Sequence, residues 1–437
     1  MNRIIASVGL VALGAASVQA QSVGSAPPAK WWNVQATVRG FYDDNINANP
    51  NPSHNDRAWG YELSPKVGVA FGNDQTAFTA DYKYAFLYYD HKPAGNSDHF
   101  DQDHIFNAML THAFTERYKI RVSDDFTIGQ EPDALRNDAA FHTPYRVSGN
   151  NIVNSGDVTF NAELTPLLGV EVGYNNAWYD YSGQFNQFRN VDTNGVISAS
   201  PAGALNRIEQ SPHISALWHV MPETTASLSY KFTDVDYTSS GPFNDLIGGN
   251  VNGVEVRSRD RDVRSHTVYL GLDHQFRPDF YGSVQAGASY YDYYNISSTS
   301  FGPYARLSLT YSYMQDSSIQ VGFQEGRTAT DVVGGADAAN FVHDVEASVI
   351  YASLRQRILS NFFANLNGSF QHSSFNGGGP VFNGKSENFY EFGANLEYVF
   401  NPHFSAHLGY DYDRLDSDLA GRTYDRNKVY IGATASY

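Results

Sequence analysis

Through most of this chain apolar and polar residues alternate one for one. Over the last ten residues Val429, Ile431, Ala433, Ala435 and Tyr437 fall on one side, and Lys428, Tyr430, Gly432, Thr434 and Ser436 on the other. Successive side chains of a strand point to opposite faces of its sheet, so such a run predicts a strand with one apolar and one polar face. An early pair repeats the pattern: Tyr61, Leu63, Pro65, Val67, Val69 and Phe71 alternate against Glu62, Ser64, Lys66 and Gly68. After the turn residues Gly72-Asn73-Asp74-Gln75 it resumes with Phe78, Ala80, Tyr82, Tyr84, Phe86 and Tyr88 against Asp81 and Lys83. A late pair matches it. Tyr390, Phe392, Ala394, Leu396, Tyr398 and Phe400 alternate with Glu391, Gly393, Asn395 and Glu397, and Asn401-Pro402-His403 leads into Phe404, Ala406, Leu408, Tyr410 and Tyr412. These are hairpins by periodicity and by turn chemistry.

Tight turns of this kind fall near Asn73, Glu116, Pro166, Pro222, Pro278, Asp316, Ile358 and Pro402. Between them lie nine mostly longer connections rich in Asn, Asp, Gly and Ser, centred on residues 45–57, 90–100, 131–150, 183–205, 239–261, 294–300, 330–341, 375–385 and 416–424. Eight turns and nine loops join about eighteen strands, and merging or splitting a hairpin would give sixteen or twenty. The expected fold is all-β: a single transmembrane antiparallel up-and-down barrel with short periplasmic turns, long extracellular loops and both termini in the periplasm.

Composition supports a barrel with a wet interior. Aromatics make up 14% of the chain, with 30 Tyr and 28 Phe against 4 Met, as expected where half of each strand faces water and aromatics collect at the two membrane interfaces. Arg3 precedes an apolar run from Ile4 to about Val18, and Val18-Gln19-Ala20 is a small-residue cleavage site, so residues 1–20 read as a secretory signal peptide. Residues 21–32 then form a periplasmic leader and 33–437 a single barrel domain, with no apolar run long enough for a spanning helix. The chain has no cysteine, so no disulfide supports it. A net charge of −17, one unit more negative without Arg3, argues against nucleic acid or anionic lipid as partner.

Parity assigns residues to regions. Trp31, Trp32, Phe71, Phe114, Phe276 and Phe400 lie near short-turn ends and form one aromatic girdle; Tyr88, Trp178, Tyr237, Tyr290 and Tyr313 form the other. Pointing inward are Arg39, Glu62, Lys66, Asp81, Lys83, Lys119, Arg121, Asp344, Glu346, Glu391, Glu397, Asp411 and Asp413, together with Glu163, Glu171, Lys231, Asp273 and Arg306. A charge facing lipid at the midplane costs a few kcal/mol (roughly 2–4 for Lys or Arg), so a charged inner face implies water inside. Strands 14 to 17 are expected to carry only acidic residues inward. Loop 131–150 is long enough to fold into the bore.

Signals for other chemistry are few. Tyr42-Asp43-Asp44-Asn45-Ile46-Asn47 is oxygen-rich, but it lacks the Gly and the closing Glu of a calcium loop and reads as a solvated first loop. The one His-x-x-x-His spacing, His403 to His407, falls where the alternation predicts a turn and a strand rather than a helix, so the two rings stand too far apart to share an ion. Gly-x-Ser-x-Gly is absent, and no metal, cofactor or catalytic set is expected.

The run Gly40-Phe41-Tyr42-Asp43-Asp44-Asn45-Ile46 resembles the opening of the Putative beta-barrel porin 2 family. Tyr118 to Pro132, with Asp124-Asp125 and Gln130-Glu131-Pro132, resembles that family too. The last strand is similar to the C-terminal recognition signal of outer-membrane barrels, with Gly432 and Tyr437 at the matching positions. The resemblance implies a Gram-negative outer-membrane barrel seated in lipid and lipopolysaccharide and inserted by the barrel-assembly machinery. It brings no catalytic or ligand residues, and monomer and trimer stay open.

Two function classes fit. One is a passive channel for small hydrophilic solutes or ions, modestly cation-preferring; the other is the outer-membrane barrel of an exopolysaccharide exporter. For the second, inward aromatics such as Phe41, Tyr89, Tyr179, Tyr269 and Tyr281 would stack on sugars.

Overall fold

The structure, a computed structural model, describes residues 30–52, 56–92, 99–130, 141, 150–181, 201–239, 257–332 and 341–437. The expected signal peptide and most of the leader lie outside the described residues, as do parts of the longer loops.

Eighteen antiparallel strands form one sheet. In order they are β1 (Trp32–Asp43), β2 (Ala58–Gly72), β3 (Thr76–Tyr89), β4 (Phe100–Ala113), β5 (Tyr118–Gly129), β6 (Asn151–Glu163), β7 (Leu168–Asp180), β8 (Arg207–Met221) and β9 (Thr224–Tyr237). They continue as β10 (Val263–Arg277), β11 (Phe280–Tyr293), β12 (Ser298–Met314), β13 (Ser317–Thr328), β14 (Val342–Leu359), β15 (Phe362–Gly377), β16 (Ser386–Asn401), β17 (Phe404–Ser417) and β18 (Tyr424–Ser436). Each strand pairs with its sequence neighbours, and β1 also pairs with β18, from Gln35↔Ser436 to Asp43↔Lys428. Two backbone bonds extend that seam, Tyr437 N to Val34 O at 2.8 Å and Val34 N to Tyr437 O at 3.1 Å. Closure gives every strand a partner on both sides, as a sheet in hydrocarbon requires.

Successive connections fall at alternate ends of the barrel: tight turns lie at one end and the longer loops at the other, where the connection between β11 and β12, residues 294–297, is also short. The turn expected near Ile358 sits at Ser360–Asn361, after a register shift between Arg357 and Leu359. Similar shifts precede the turns after β8, β10, β12 and β16. An extra residue there tightens the twist and lets the chain reverse. Two short helices, α1 (Pro201–Leu205) and α2 (Gly379–Phe382), and a 3-10 turn (Ser258–Arg261) belong to the long loops.

One part of the wall departs from uniform pairing. The β12–β13 ladder ends at Ala305↔Glu325 on its long-loop side, while β13 and β14 stay paired up to Thr328↔Val345. Above that point the contacts between β12 and β13 are made by a side chain, Arg327, whose Nη2 bonds the Phe301 carbonyl at 3.1 Å.

Candidate functional site

The two faces of the sheet differ as the alternation requires. Leu270 and Ile431 are 65% and 66% exposed, while Thr267 and Ser289, on the opposite face, are 6% and 2% exposed. In a closed barrel the second set faces inward, and ion pairs between neighbouring strands cover that face. Arg39 Nη1 lies 3.5 Å from Glu62, its Nε donates to His407 Nε2 at 3.0 Å, and Ser64 bonds the same carboxylate. Lys66 lies 3.1 Å from Asp81, which also accepts from Asn107 at 3.2 Å. Lys83 shares this face opposite Lys66, and Lys119 and Arg121 continue it opposite Ala113 and Thr111. Glu163 pairs with His219 at 2.9 Å. On the far wall Glu391 accepts from Ser369 at 2.8 Å and stands opposite Asp413. Glu397 stands opposite His407 and Asp411 opposite Lys428.

Several expectations need correction. Registers place Asp344 and Glu346 on the strand face opposite Val345, Ala347, Val349 and Tyr351, with Ile350. There Asp344 bonds Tyr293 and Asn376 and lies 3.7 Å from Arg327, which is equally far from Glu346. Because β13–β14 separates from β12, its outer face packs on the loop end of the β11–β12 hairpin's inner face, at Tyr291, Tyr293 and Gly302, and these two carboxylates line that contact. The parity argument failed because it assumed one continuous wall. The wall of strands 14 to 17 is not purely acidic either: Arg355 shares the inner face of β14 with Tyr351. The neighbouring β18 sets Arg426 opposite Asp413.

Two girdle assignments fail as well. Tyr237 is 8% exposed and lies inward opposite Arg207, and Tyr313 sits beside the tight β12–β13 turn, at the other end of the barrel. Of the inward aromatics, Phe41 and Tyr89 are shut in a cluster with Ile46, Ala58, Ala85 and Leu87. No solute reaches them there.

The oxygen-rich run after β1 proves to be a joint. Asp43 is fully buried against Arg426, Asn427 Nδ2 donates to Asp44 at 2.8 Å, and Asn45 Nδ2 bonds the Asp425 carbonyl at 2.9 Å. The carboxylates of Asp43 and Asp44 are thus committed to β18, and Asn45 Oδ1 accepts from Asn49 N at 2.8 Å. Among the described residues no group of three or more His, Cys, Asp or Glu gathers as metal ligands would.

At the long-loop end the interior is crossed. Val153 of β6, Tyr181, Ala204 and Leu205 of α1, and Phe341 before β14 form one apolar cluster. Strands β6 and β14 lie on nearly opposite sides of the eighteen-stranded circle, so this contact passes through the bore or over its mouth. Arg261, with no exposed surface, ties the segments together. Its Nε donates to His343 O at 2.9 Å, Nη1 to Ala204 O at 2.7 Å and Nη2 to Thr330 O at 3.0 Å, and its guanidinium lies 4.7 Å from the Tyr237 ring centre. Beside it Asp262 accepts from Tyr237 N at 2.7 Å, and burial, with Asp236 and Asp234 nearby, pushes its carboxyl up to about 6 against those bonds. Phe141, in the β5–β6 loop, reaches β13: a methyl added to Gly326 would meet its ring at 3.4 Å. A second latch joins Arg422 to Asp331 at 2.9 Å and to Glu387. Periodicity could not have found Arg261 or Arg422, because neither lies on a strand.

Residues 344–437 match a family model described as Putative beta-barrel porin 2. Comparison with curated protein sequences gave no match. Among solved structures, the outer membrane protein opdK from Pseudomonas aeruginosa is similar at 11% identity and a TM-score of 0.42, with 93% of this chain and 99% of that one covered. OccAB2 from Acinetobacter baumannii is similar at 9% identity and a TM-score of 0.44, over 93% and 98% of the two chains. The closed sheet makes the chain an eighteen-stranded antiparallel β-barrel, and its last five strands, β14–β18, are the part that matches the Putative beta-barrel porin 2 model.

Proposed function

We propose that this barrel is a passive channel for small hydrophilic solutes or ions, modestly preferring cations, with both termini and the tight turns in the periplasm. The observation that carries the reading is the division of the two faces: exposed apolar residues such as Leu270 and Ile431 outside, and a ring of paired charges, Arg39–Glu62 and Lys66–Asp81 among them, inside. A dry core would not retain so many ionised groups, because each costs several kcal/mol (roughly) when taken out of water. The crossing segments at the long-loop end narrow the path and set an upper limit on solute size.

Support for cation preference is electrostatic. Carboxylates outnumber basic residues on the inner face of the described strands, and Glu391, Glu397, Asp411 and Asp413 share one wall. Arg355, Arg426 and Lys428 lie close to that wall and reduce its field, so the preference is small. Low-dielectric walls focus what remains. Reversal potentials in a KCl gradient test it. The wild type should favour K⁺, and Glu391→Lys with Asp411→Lys should move the potential toward Cl⁻; an anion-selective wild type or an unmoved potential contradicts the proposal. We further propose that the barrel-assembly machinery recognises the last strand through Gly432 and Tyr437.

A further inference from the structure

The inner wall of β10–β12 carries an open aromatic site unlike the packed clusters elsewhere. Tyr269 on β10 and Tyr304 on β12 stand on either side of Gly287 on β11 in the same row. With no side chain at position 287, the two rings meet across the intervening strand, their centres 4.8 Å apart and their planes inclined at 37°. Tyr304 Oη donates to Gln285 Oε1 at 3.1 Å, which fixes that ring, and the Arg306 guanidinium lies 5.7 Å from its centre. Both tyrosines are half-buried and Gly287 is exposed. The pair therefore borders open space, whereas Phe41 and Tyr89 are 3% and 0% exposed. Nearer the tight turns on the same wall, Tyr281 Oη donates to Asp273 at 2.8 Å, making a second ring with a polar partner.

We propose that the Tyr269–Tyr304 pair is a binding platform for the ring of a neutral sugar, with Gln285 and Arg306 holding its hydroxyls and Tyr281–Asp273 forming a second contact further along the wall. The inference deepens the channel reading by naming a solute class and rests on it for the route of entry. An aromatic face carries negative charge density, and the C–H bonds on the apolar face of a pyranose meet it favourably. The hydroxyls at the rim of that sugar ring need both donors and acceptors. An amide, a guanidinium and a carboxylate on one wall supply both, in the pattern of an apolar surface with a few converging polar groups that marks ligand sites. An anionic ligand fits less well, since Asp273 would repel it at the second contact.

The test is equilibrium binding of maltotriose to the refolded, detergent-solubilised protein by saturation-transfer NMR, with current blockade in planar bilayers read in parallel. Wild type should bind saturably. Tyr269→Ala and Tyr304→Ala should each weaken binding by about tenfold, while Tyr269→Phe, which keeps the ring, should stay within about twofold. Heat-modifiable gel migration identifies any variant that fails to fold, and Tyr269→Phe against Tyr304→Phe then decides the matter. Absence of saturable binding, equal binding by the alanine variants, or preference for benzoate over the sugar overturns the proposal. Saturable binding without conductance would leave the platform standing and remove the channel; conductance without binding would do the reverse.

Discussion

The Arg426 guanidinium grips the Asp43 carboxylate with Nη2 2.6 Å and Nε 3.0 Å from the same oxygen, although 383 residues separate the two in sequence. The contact joins the first strand to the last at the long-loop end of the seam. Asp43 has no exposed surface and Arg426 is 8% exposed, so removing one partner strands a buried charge.

Loss of that pair should weaken closure. Arg426→Leu leaves Asp43 unpaired, at a cost of ~3–5 kcal/mol for a broken buried pair. The temperature at which the folded gel band converts to the unfolded one should fall clearly, and an Asp43→Asn, Arg426→Leu double variant should recover part of the loss. Conversion temperatures unchanged in the single variant would show that the pair contributes nothing to the seam.

The other end of the seam has its own anchor. Lys30 Nζ lies 3.4 Å above the Tyr437 ring centre, Trp32 packs on that ring at 5.6 Å, and Tyr437 exchanges two backbone bonds with Val34. Gly432 sits where a methyl group would come within 2.5 Å of Val38 O and 2.6 Å of His407 Nε2. Deleting Tyr437, or making Gly432→Val, should lower the yield of inserted, heat-modifiable barrel. Wild-type yields for both would mean that the seam forms without them.

The strands were legible in the sequence because a barrel wall in lipid forces period two, and Val429 to Tyr437 showed it without a break. The polar inner face followed from the same parity at Arg39, Glu62, Lys66 and Asp81. Parity lost its meaning at Asp344 and Glu346, where the wall divides and an outer face turns against an inner one. Of the interior crossing, only the length of the loop at residues 131–150 was legible. Arg261 bonds three carbonyls supplied by backbone positions 204, 330 and 343, and carbonyl acceptors leave no trace in residue identity.

Arg261 should hold the long-loop end closed. Arg261→Ala strips three carbonyls of their donor, each worth ~1–3 kcal/mol if left buried and unpaired. A reporter cysteine made by Ala204→Cys, at a position 1% exposed in a chain without native cysteine, should resist a membrane-impermeant maleimide in the parent and react in the Arg261→Ala background. Equal labelling in both would show that Arg261 does not keep that segment in place.

Asp262 predicts how this region responds to pH. Its carboxyl is pushed up from 3.8 to about 6 in the folded protein, first by burial and then by Asp236 and Asp234. The folded state therefore holds the proton more tightly than the unfolded one, and stability from this group is greatest below the unfolded value and is lost as pH rises through about 6. Amide hydrogen exchange around residues 258–262, corrected for its intrinsic pH dependence, should show protection falling between pH 4 and 6.5 (roughly) in the wild type and a flatter profile in Asp262→Asn. Protection that rises over that interval would reverse the sign and remove Asp262 as its source.

If water fills the bore around its wall of paired charges, as proposed, the barrel carries ion current. Purified protein added to a planar bilayer in KCl should produce discrete, reproducible conductance steps, larger in the Arg261→Ala variant, while a heat-denatured sample should produce none. A folded, heat-modifiable barrel that inserts and yet passes no current, in the wild type and in Arg261→Ala alike, would contradict the account.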